Sequence, residues 1–244
     1  MKLENILFLD IETVPQHPTF DDLSEETQGL FADKTKYQRK DTPVADFYER
    51  AGIWAEFGKI ICISVGYFTS VQSKSRQFRI TTFKGNEVDL LSGFSTLVNN
   101  HFSKAYHRLC AHNGKEFDFP YIARRMTVHQ LELPRAFQIA GKKPWEVPHL
   151  DTLELWKFGD YKHYTSLKLL THTLNIPSPK TDLDGSQVAG VYYNDNDLER
   201  IVNYCEQDVL SIAQIILRCT RYPLLNPKEI AHCLLYTSDA ADEV

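Results

Sequence analysis

Two acidic residues near the start of the chain have the spacing of a metal-binding pair. Asp10 follows the apolar run ILFL at residues 6–9, and Glu12 comes two residues later. In a β-strand, side chains at positions i and i+2 point to the same face, so both carboxylates would reach one point. Carboxylate oxygens suit Mg²⁺ and Mn²⁺, and a buried carboxylate is costly unless it is paired or binds a metal. The alternative is a strand end that reaches solvent, where acids are common.

A tyrosine and an acid near the end of the chain share one face of a helix. Tyr204 and Asp208 are four residues apart within a helical pattern at residues 197–220. Asp208 interrupts an apolar stripe that includes Ile201, Cys205 and Ile212, and a polar residue at a core position needs a reason. Tyr204 alone would be interpreted as a core aromatic residue. Together, the hydroxyl and the carboxylate can share a ligand.

A further acid, Asp118, lies in the segment HNGKEFDFPY at residues 112–121. Aromatic residues surround it, which predicts a half-buried position at the start of a helix. Negative charge at a helix N-terminus is also favoured by the helix dipole, and this offers a purely structural explanation. Asn113 and Gly114 form a turn after a short strand. Asn113 either only forms that turn or also contacts a substrate.

The hydrophobic segments that carry these residues predict one α/β domain over residues 1–222, with a mixed sheet flanked by helices. We predict strands at residues 5–9, 59–68, 76–83, 108–111 and 149–151, and helices at 86–102, 119–126, 197–220 and after Ser166. Residues 16–56 are polar without a clear period, and we interpret them as an insertion with one or two short helices. Residues 234–244 predict a disordered tail. They are also similar to translated sequencing-adapter sequence, in which case the tail is an artefact.

Charge and composition limit the range of functions. The net charge of −5 argues against broad electrostatic wrapping of a nucleic acid. Residues 115–180 are the net-positive part of the chain, with ten Lys and Arg against seven Asp and Glu. No apolar run is long enough for a membrane span, and no signal peptide is visible. Five cysteines without a CxxC pair are interpreted as reduced thiols. We therefore expect a cytoplasmic protein with no membrane partner.

These residues resemble the three motifs of the DEDDy 3′–5′ exonucleases, and most closely the exonuclease domain of family-B DNA polymerases in a stand-alone bacterial form. FLDIET at residues 8–13 resembles the first motif, HNGKEFDFPY the second, and YCEQD at residues 204–208 the third. The similarity extends over most of residues 3–220. It implies an RNase H-like fold and 5′-mononucleotides released from the 3′ end of DNA.

The same resemblance implies a site with two Mg²⁺ or Mn²⁺ ions. Asp10, Glu12 and Asp208 would hold one ion. Asp10 would bridge to the second ion, which Asp118 would help to hold through water. Two ions can stabilise both the attacking and the leaving oxygen of a displacement at phosphorus. Tyr204 would orient the attacking water rather than act as a strong base, since its unperturbed pKa is about 10.

A single-stranded DNA 3′ end is the expected partner, because aromatic rings stack on unpaired bases. Phe117, inside the second motif, is the leading candidate for contact with terminal bases. Further aromatic candidates lie among lysines, and they are Trp145, Trp156, Tyr161 and Tyr164. For Trp145 and Trp156 we prefer a core position.

Two other functions stay open at this point. One is a 3′–5′ exoribonuclease that trims RNA with the same chemistry, because contacts to the 2′-hydroxyl cannot be located from one sequence. The other is a catalytically silent module that binds nucleic acid; a missing acid would favour it, and all four are present. Asp151, in HLDT, either caps the following helix or supports the site. It is not one of the four motif acids.

Overall fold

The computed structural model describes residues 2–70, 76–160, 164–177 and 182–233. The stacking candidate Tyr161 and the predicted tail at 234–244 lie outside these residues. No helix within the described ranges combines the length and the apolar character needed to cross a membrane. All five cysteines are free thiols, as predicted.

Within the described residues, a mixed sheet of six strands forms the centre of the fold. The strands are β1 (Ile6–Pro15), β2 (Gly58–Ser70), β3 (Gln77–Lys84), β4 (Arg108–Ala111), β5 (Leu150–Asp151) and β6 (Ile230–His232). They lie in the order β5-β4-β1-β2-β3-β6. β2 pairs antiparallel with β1 and β3, whereas β1 with β4, β4 with β5 and β3 with β6 are parallel pairs. The predicted mixed α/β sheet is therefore confirmed.

Helices flank this sheet on both faces. They are α1 (Glu25–Arg39), α2 (Val44–Phe47), α3 (Glu87–His101), α4 (Asp118–Val128), α5 (Thr152–Lys157), α6 (Leu167–Thr173), α7 (Val188–Gly190) and α8 (Leu198–Cys219). Leu7, Leu9 and Ile11 of β1 pack with residues of α3 and α4. Ile6 and Phe8 pack with residues of α8 on the opposite face. Side chains alternate between the two faces of a strand, and helices cover both faces of the sheet, so β1 is buried on both sides.

β1 continues beyond the predicted end of the first strand. β2 pairs with it from Phe8 to Pro15, with Asp10 opposite Ser64 and Glu12 opposite Cys62. The two acids therefore lie inside a central strand. The alternative of a strand end in solvent is wrong for this chain.

The predicted insertion at residues 16–56 contains the two helices α1 and α2, as predicted, but α1 spans 15 residues and is not short. Only Phe31 and Thr35 of α1 are buried, which explains why no apolar period marks this helix in the sequence. Phe31 packs edge-on against Tyr48 and Phe57, with ring centroids 5.3 and 5.1 Å apart. At the other end of the chain, β6 extends the sheet beyond the predicted boundary at residue 222.

Candidate active site

β1 carries two acids to the face that α8 covers. Asp10 and Glu12 alternate with Leu9 and Ile11, whose side chains enter the core on the other face. Glu12 is 8% exposed, and Asp10 is partly buried. One carboxylate oxygen of each acid lies within 4.8 Å of the other and of the Cys205 thiol. The fold thus brings both carboxylates to one point.

Asp118, at the start of α4, is 3% exposed. It lies outside the group of atoms within 4.8 Å of one another, but near enough for its charge to raise the pKa of Asp10 and Glu12. β4 pairs with β1 only as far as Phe8, which leaves the next part of that edge open. There the backbone N–H of Ile11 donates a hydrogen bond to the Asp118 carboxylate. The turn that leads to Asp118 is tight, since a Cβ on Gly114 would lie 2.4 Å from the Cβ of Ala111. A glycine is therefore required in this turn.

α8 places three side chains over the acids of β1. The Cys205 Sγ lies 3.4 Å from both the backbone oxygen and Oδ2 of Asp10. The Tyr204 hydroxyl donates a hydrogen bond to the Asp208 carboxylate. Tyr204 and Asp208 interrupt a helix face whose buried members include Ile201 and Val209. Their polar atoms consequently face the carboxylates of β1 across the packed interface.

Burial raises the pKa of all four carboxylates. Burial raises the pKa of Asp10 and Glu12 well above the usual range, and the charges of Asp118 and Asp208 raise both further. Burial also raises the pKa of Asp118 to about 7, with Asp151 and Asp208 contributing. The pKa of Asp208 rises to about 7 for the same main reason, burial.

When the four carboxylates ionise, no cationic side chain of the described residues balances their negative charge. In the part of the chain that the structure describes, no Lys, Arg or His side chain pairs with any of the four carboxylates. Buried carboxylates without a cation are unfavourable, and hard oxygen ligands in this number suit a divalent cation such as Mg²⁺ or Mn²⁺. The donor set therefore fits the ions that the sequence predicts.

Tyr204 and Cys205 are neutral members of the site. Burial, followed by the charges of Asp208, Glu12 and Asp10, raises the pKa of Tyr204 above its usual range. Burial likewise raises the pKa of the Cys205 thiol. Both groups therefore stay protonated and act as hydrogen-bond donors toward the carboxylates.

Asp151 is buried behind the turn that carries Asp118. Its carboxylate accepts hydrogen bonds from the backbone N–H groups of Asn113 at 2.9 Å and Lys115 at 3.1 Å. It also caps α5 through the N–H groups of Leu153 and Glu154. Asp151 therefore caps α5 and also holds the turn that leads to Asp118, and its support of the site stays a prediction.

We expect Asp151→Asn to lower activity roughly 10- to 100-fold, the usual loss when a residue that orients metal ligands is changed. The amide would direct N–H groups at backbone N–H donors and loosen the 113–115 turn. Mn²⁺ titrations of the hydrolysis rate should show a higher metal requirement. Asp22→Asn is the matched control, because the Asp22 carboxylate also accepts a hydrogen bond from a backbone N–H group, that of Thr19, but lies in the insertion. Wild-type metal dependence in Asp151→Asn would contradict the positioning role.

The predicted substrate contacts lie beside the acids. Asn113 has a left-handed φ of 62°, which fits its role as a turn former. Phe117 is half-buried, with its ring centroid 5.3 Å from that of Tyr121. Whether either side chain touches a substrate stays a prediction.

The tryptophans predicted to be core residues behave differently from each other. Trp145 is 75% exposed, so its predicted core position is wrong. The short segment around it packs little apolar surface, and the Lys143 ammonium lies over the Trp145 ring at 5.2 Å. Trp156 is partly buried against Leu170 and Ile215. Tyr164 is 67% exposed.

Sequence reasoning missed Cys205 and underestimated Asp151. Cys205 looked like a small apolar residue in the helix stripe, and only its adjacency to Tyr204 hinted at the site. Asp151 follows a short strand, a position that equally suits a simple cap. Neither contact could be inferred from spacing, because the partner residues lie far away in the chain.

Comparisons with known proteins agree with this geometry. Residues 53–231 match a family described as a predicted 3′–5′ exonuclease related to the exonuclease domain of PolB. That range contains Asp118, Tyr204 and Asp208, whereas Asp10 and Glu12 precede it. A search of curated proteins found no significant match.

Among solved structures, the chain is similar to the family B DNA polymerase from the hyperthermophilic archaeon Pyrobaculum calidifontis. The identity is 14% and the TM-score is 0.54. The match covers 88% of this chain and 24% of the polymerase chain, so the chain spans about a quarter of that protein. Together with the mixed sheet, this likeness confirms the predicted RNase H-like fold.

Proposed function

The chain belongs to the family of predicted 3′–5′ exonucleases related to the exonuclease domain of PolB, and we propose that it releases 5′-mononucleotides from the 3′ end of single-stranded DNA in the cytoplasm. One observation carries this proposal. Asp118 of α4 and Asp208 of α8 lie near enough to the β1 pair Asp10 and Glu12 to raise the pKa of both, and the Tyr204 hydroxyl donates a hydrogen bond to Asp208. The likeness to a DNA polymerase favours DNA over RNA as the substrate.

The four carboxylates would hold two Mg²⁺ or Mn²⁺ ions. Bound ions would make a water molecule more acidic and stabilise charge on the leaving oxygen. This arrangement corresponds to a DEDDy-type site. Its fit rests on the uncompensated negative charge described above.

The protein's own groups would orient the reactants. The Tyr204 hydroxyl donates its proton to Asp208, and its oxygen would accept a hydrogen bond from the attacking water and hold that water in line. The water oxygen forms a bond to the phosphorus of the last phosphodiester, while the bond to the 3′ oxygen of the preceding nucleotide breaks. The water gives up a proton and the leaving 3′ oxygen takes one up, so the products are a 5′-mononucleotide and a shortened strand with a 3′-hydroxyl. Phe117 and Asn113 would contact the terminal nucleotides.

We expect 5′-labelled single-stranded DNA to give a descending ladder of products when Mg²⁺ or Mn²⁺ is present, and no products in EDTA. Intact duplex should be cut more slowly, because its 3′ end must first unpair. Gel electrophoresis of time points measures both. Immediate release of the labelled 5′ nucleotide, or cutting of a closed circle, would contradict the polarity.

The same assay separates the remaining alternatives. Faster trimming of single-stranded RNA of matched sequence would favour an exoribonuclease. Binding of both strands without hydrolysis in either metal would favour a silent module.

A further inference from the structure

A groove of about 580 Å³ follows the outer side of α4. Its lining includes Lys115 and Pro120, which flank Asp118 in the sequence, and Thr127 further along the helix. Apolar residues of the connection between α4 and β5, among them Phe137, form the facing wall. The groove therefore begins at the turn that leads to Asp118 and runs along α4 away from that turn.

A smaller pocket of about 160 Å³ continues this groove, because Ile139 and Lys142 line both. Its lining contains the four cations Lys104, Arg108, Arg135 and Lys142. Among the described residues, no Asp or Glu lines it. We call the groove and the pocket together the upstream cleft.

Three of these cations, Lys104, Arg135 and Lys142, are exposed and therefore available to an anion. Within the described ranges, neither the Arg135 nor the Lys142 side chain pairs with an acid. By contrast, the Lys115 ammonium lies 2.6 Å from the Glu154 carboxylate. Arg108 donates hydrogen bonds to nearby backbone carbonyls. Positive charge thus concentrates where the apolar groove ends.

The charge of the groove itself is also suited to a polyanion. Glu56 is the single acid among its described lining residues, and the Lys34 ammonium lies 3.7 Å from it. The exposed Arg124 lines the same groove. Apolar walls bounded by cations match a single strand of nucleic acid, because its unpaired bases offer flat faces to apolar walls while its phosphates contact the cations.

We propose that the upstream cleft binds the single-stranded DNA that precedes the scissile phosphate, with bases in the apolar groove and phosphates at Arg135 and Lys142. This proposal rests on the proposed function and names the path of the strand. The exposed ring of Trp145, next to the groove residue Pro144, offers a stacking surface on the same path.

The first test removes Arg135 and Lys142, the two available cations on the connection between α4 and β5. Arg135→Ala/Lys142→Ala should weaken binding of a fluorescein-labelled single strand of about 12 nucleotides, measured by fluorescence anisotropy in EDTA. We expect the Kd to rise roughly tenfold. The slope of log K against log salt should become shallower by about 1.4, since each phosphate contact to a single strand contributes about 0.7.

The second test fills the apolar groove without changing charge. Thr127 is exposed on α4 and lines the groove, so Thr127→Trp should fold normally and weaken binding of the same strand. Lys2→Ala/Lys228→Ala is the control with the same charge change as the first variant. Both control lysines are exposed and lie near Leu3 and Ile230 in the sequence. Those two residues pack on the α8 side of the sheet, away from the cleft beside α4. The Kd and salt slope of this control should equal those of the wild type.

A minimal substrate separates failure of this proposal from failure of the proposed function. The p-nitrophenyl ester of thymidine 5′-monophosphate reaches only the catalytic site, so both cleft variants should hydrolyse it at the wild-type rate in Mn²⁺. Wild-type protein that is inactive on both the ester and DNA would refute the exonuclease assignment. If the Kd and the salt slope are unchanged in both cleft variants, the proposal that the cleft binds single-stranded DNA is refuted, whatever the activity. The proposal is also refuted if the wild-type protein binds no single strand.

Discussion

Replacing Asp10 with alanine is expected to lower the single-turnover rate of DNA hydrolysis at least about a thousandfold. Beyond the effect of burial, the charges of Asp118, Asp208 and Glu12 all raise the pKa of Asp10. A bound metal ion contributes several kcal/mol of charge stabilisation, and each 1.36 kcal/mol corresponds to a tenfold change in rate. Quenched-flow assays with 5′-labelled DNA in Mn²⁺ measure this loss.

The same variant should be more stable than the wild type in metal-free buffer at pH 8. A carboxylate whose pKa is higher in the folded state than in the unfolded state stabilises the folded state at low pH. For Asp118 and Asp208 the pKa is about 4 in the unfolded chain and about 7 in the folded protein. Their stabilising effect is therefore lost as the pH rises through this range. Removing Asp10 relieves repulsion among the acids that ionise in this window. The difference should therefore be smaller at pH 5.

Differential scanning fluorimetry in EDTA at both pH values checks this stability change. A gain of 1 kcal/mol corresponds to roughly 2–4 °C in Tm for a protein of this size. Asp33→Ala, at an exposed position of α1, is the control for loss of an acid outside the site. A folded Asp10→Ala protein with near-normal turnover would remove the basis for the two-metal assignment.

Tyr204→Phe is expected to lower turnover roughly 10- to 1000-fold, the loss of about 1.4–4 kcal/mol of transition-state stabilisation. The change deletes the hydroxyl that donates to Asp208 and leaves the ring packed in its cluster. The carboxylates persist, so metal binding should persist and the loss should be milder than in Asp10→Ala. Single-turnover rates at saturating Mn²⁺ measure it.

Tyr193→Phe provides a matched control for this prediction. Tyr193 lies in the same hydrophobic cluster, and its hydroxyl donates to the backbone oxygen of Pro15 instead of a motif acid. We expect it to lose some stability and to retain wild-type turnover. Full activity of Tyr204→Phe under single-turnover conditions would make Tyr204 a packing residue only.

Local periodicity was sufficient to identify the pairs of residues that share a face. The alternation of a strand places Asp10 and Glu12 together, and the helical repeat does the same for Tyr204 and Asp208. Those pairs, the main strands and helices, and the mixed sheet follow from the sequence because each depends on residues close together in the chain. Trp145 shows the limit of this reasoning, since burial of an aromatic residue depends on what packs over it.

The sequence by itself indicated which residues are candidates for the chemistry, whereas the tertiary structure decided how they are arranged. The Cys205 thiol lies against Asp10 across 195 residues of chain. Asp151 holds the turn of Asn113 because β4 and β5 are parallel neighbours. Contacts between distant segments depend on strand order, on the short pairing of β4 with β1 and on how α8 packs across the sheet. Periodicity fixes the face on which a side chain lies but not the element opposite it, which is why the assembled site and the upstream cleft emerge only from the fold.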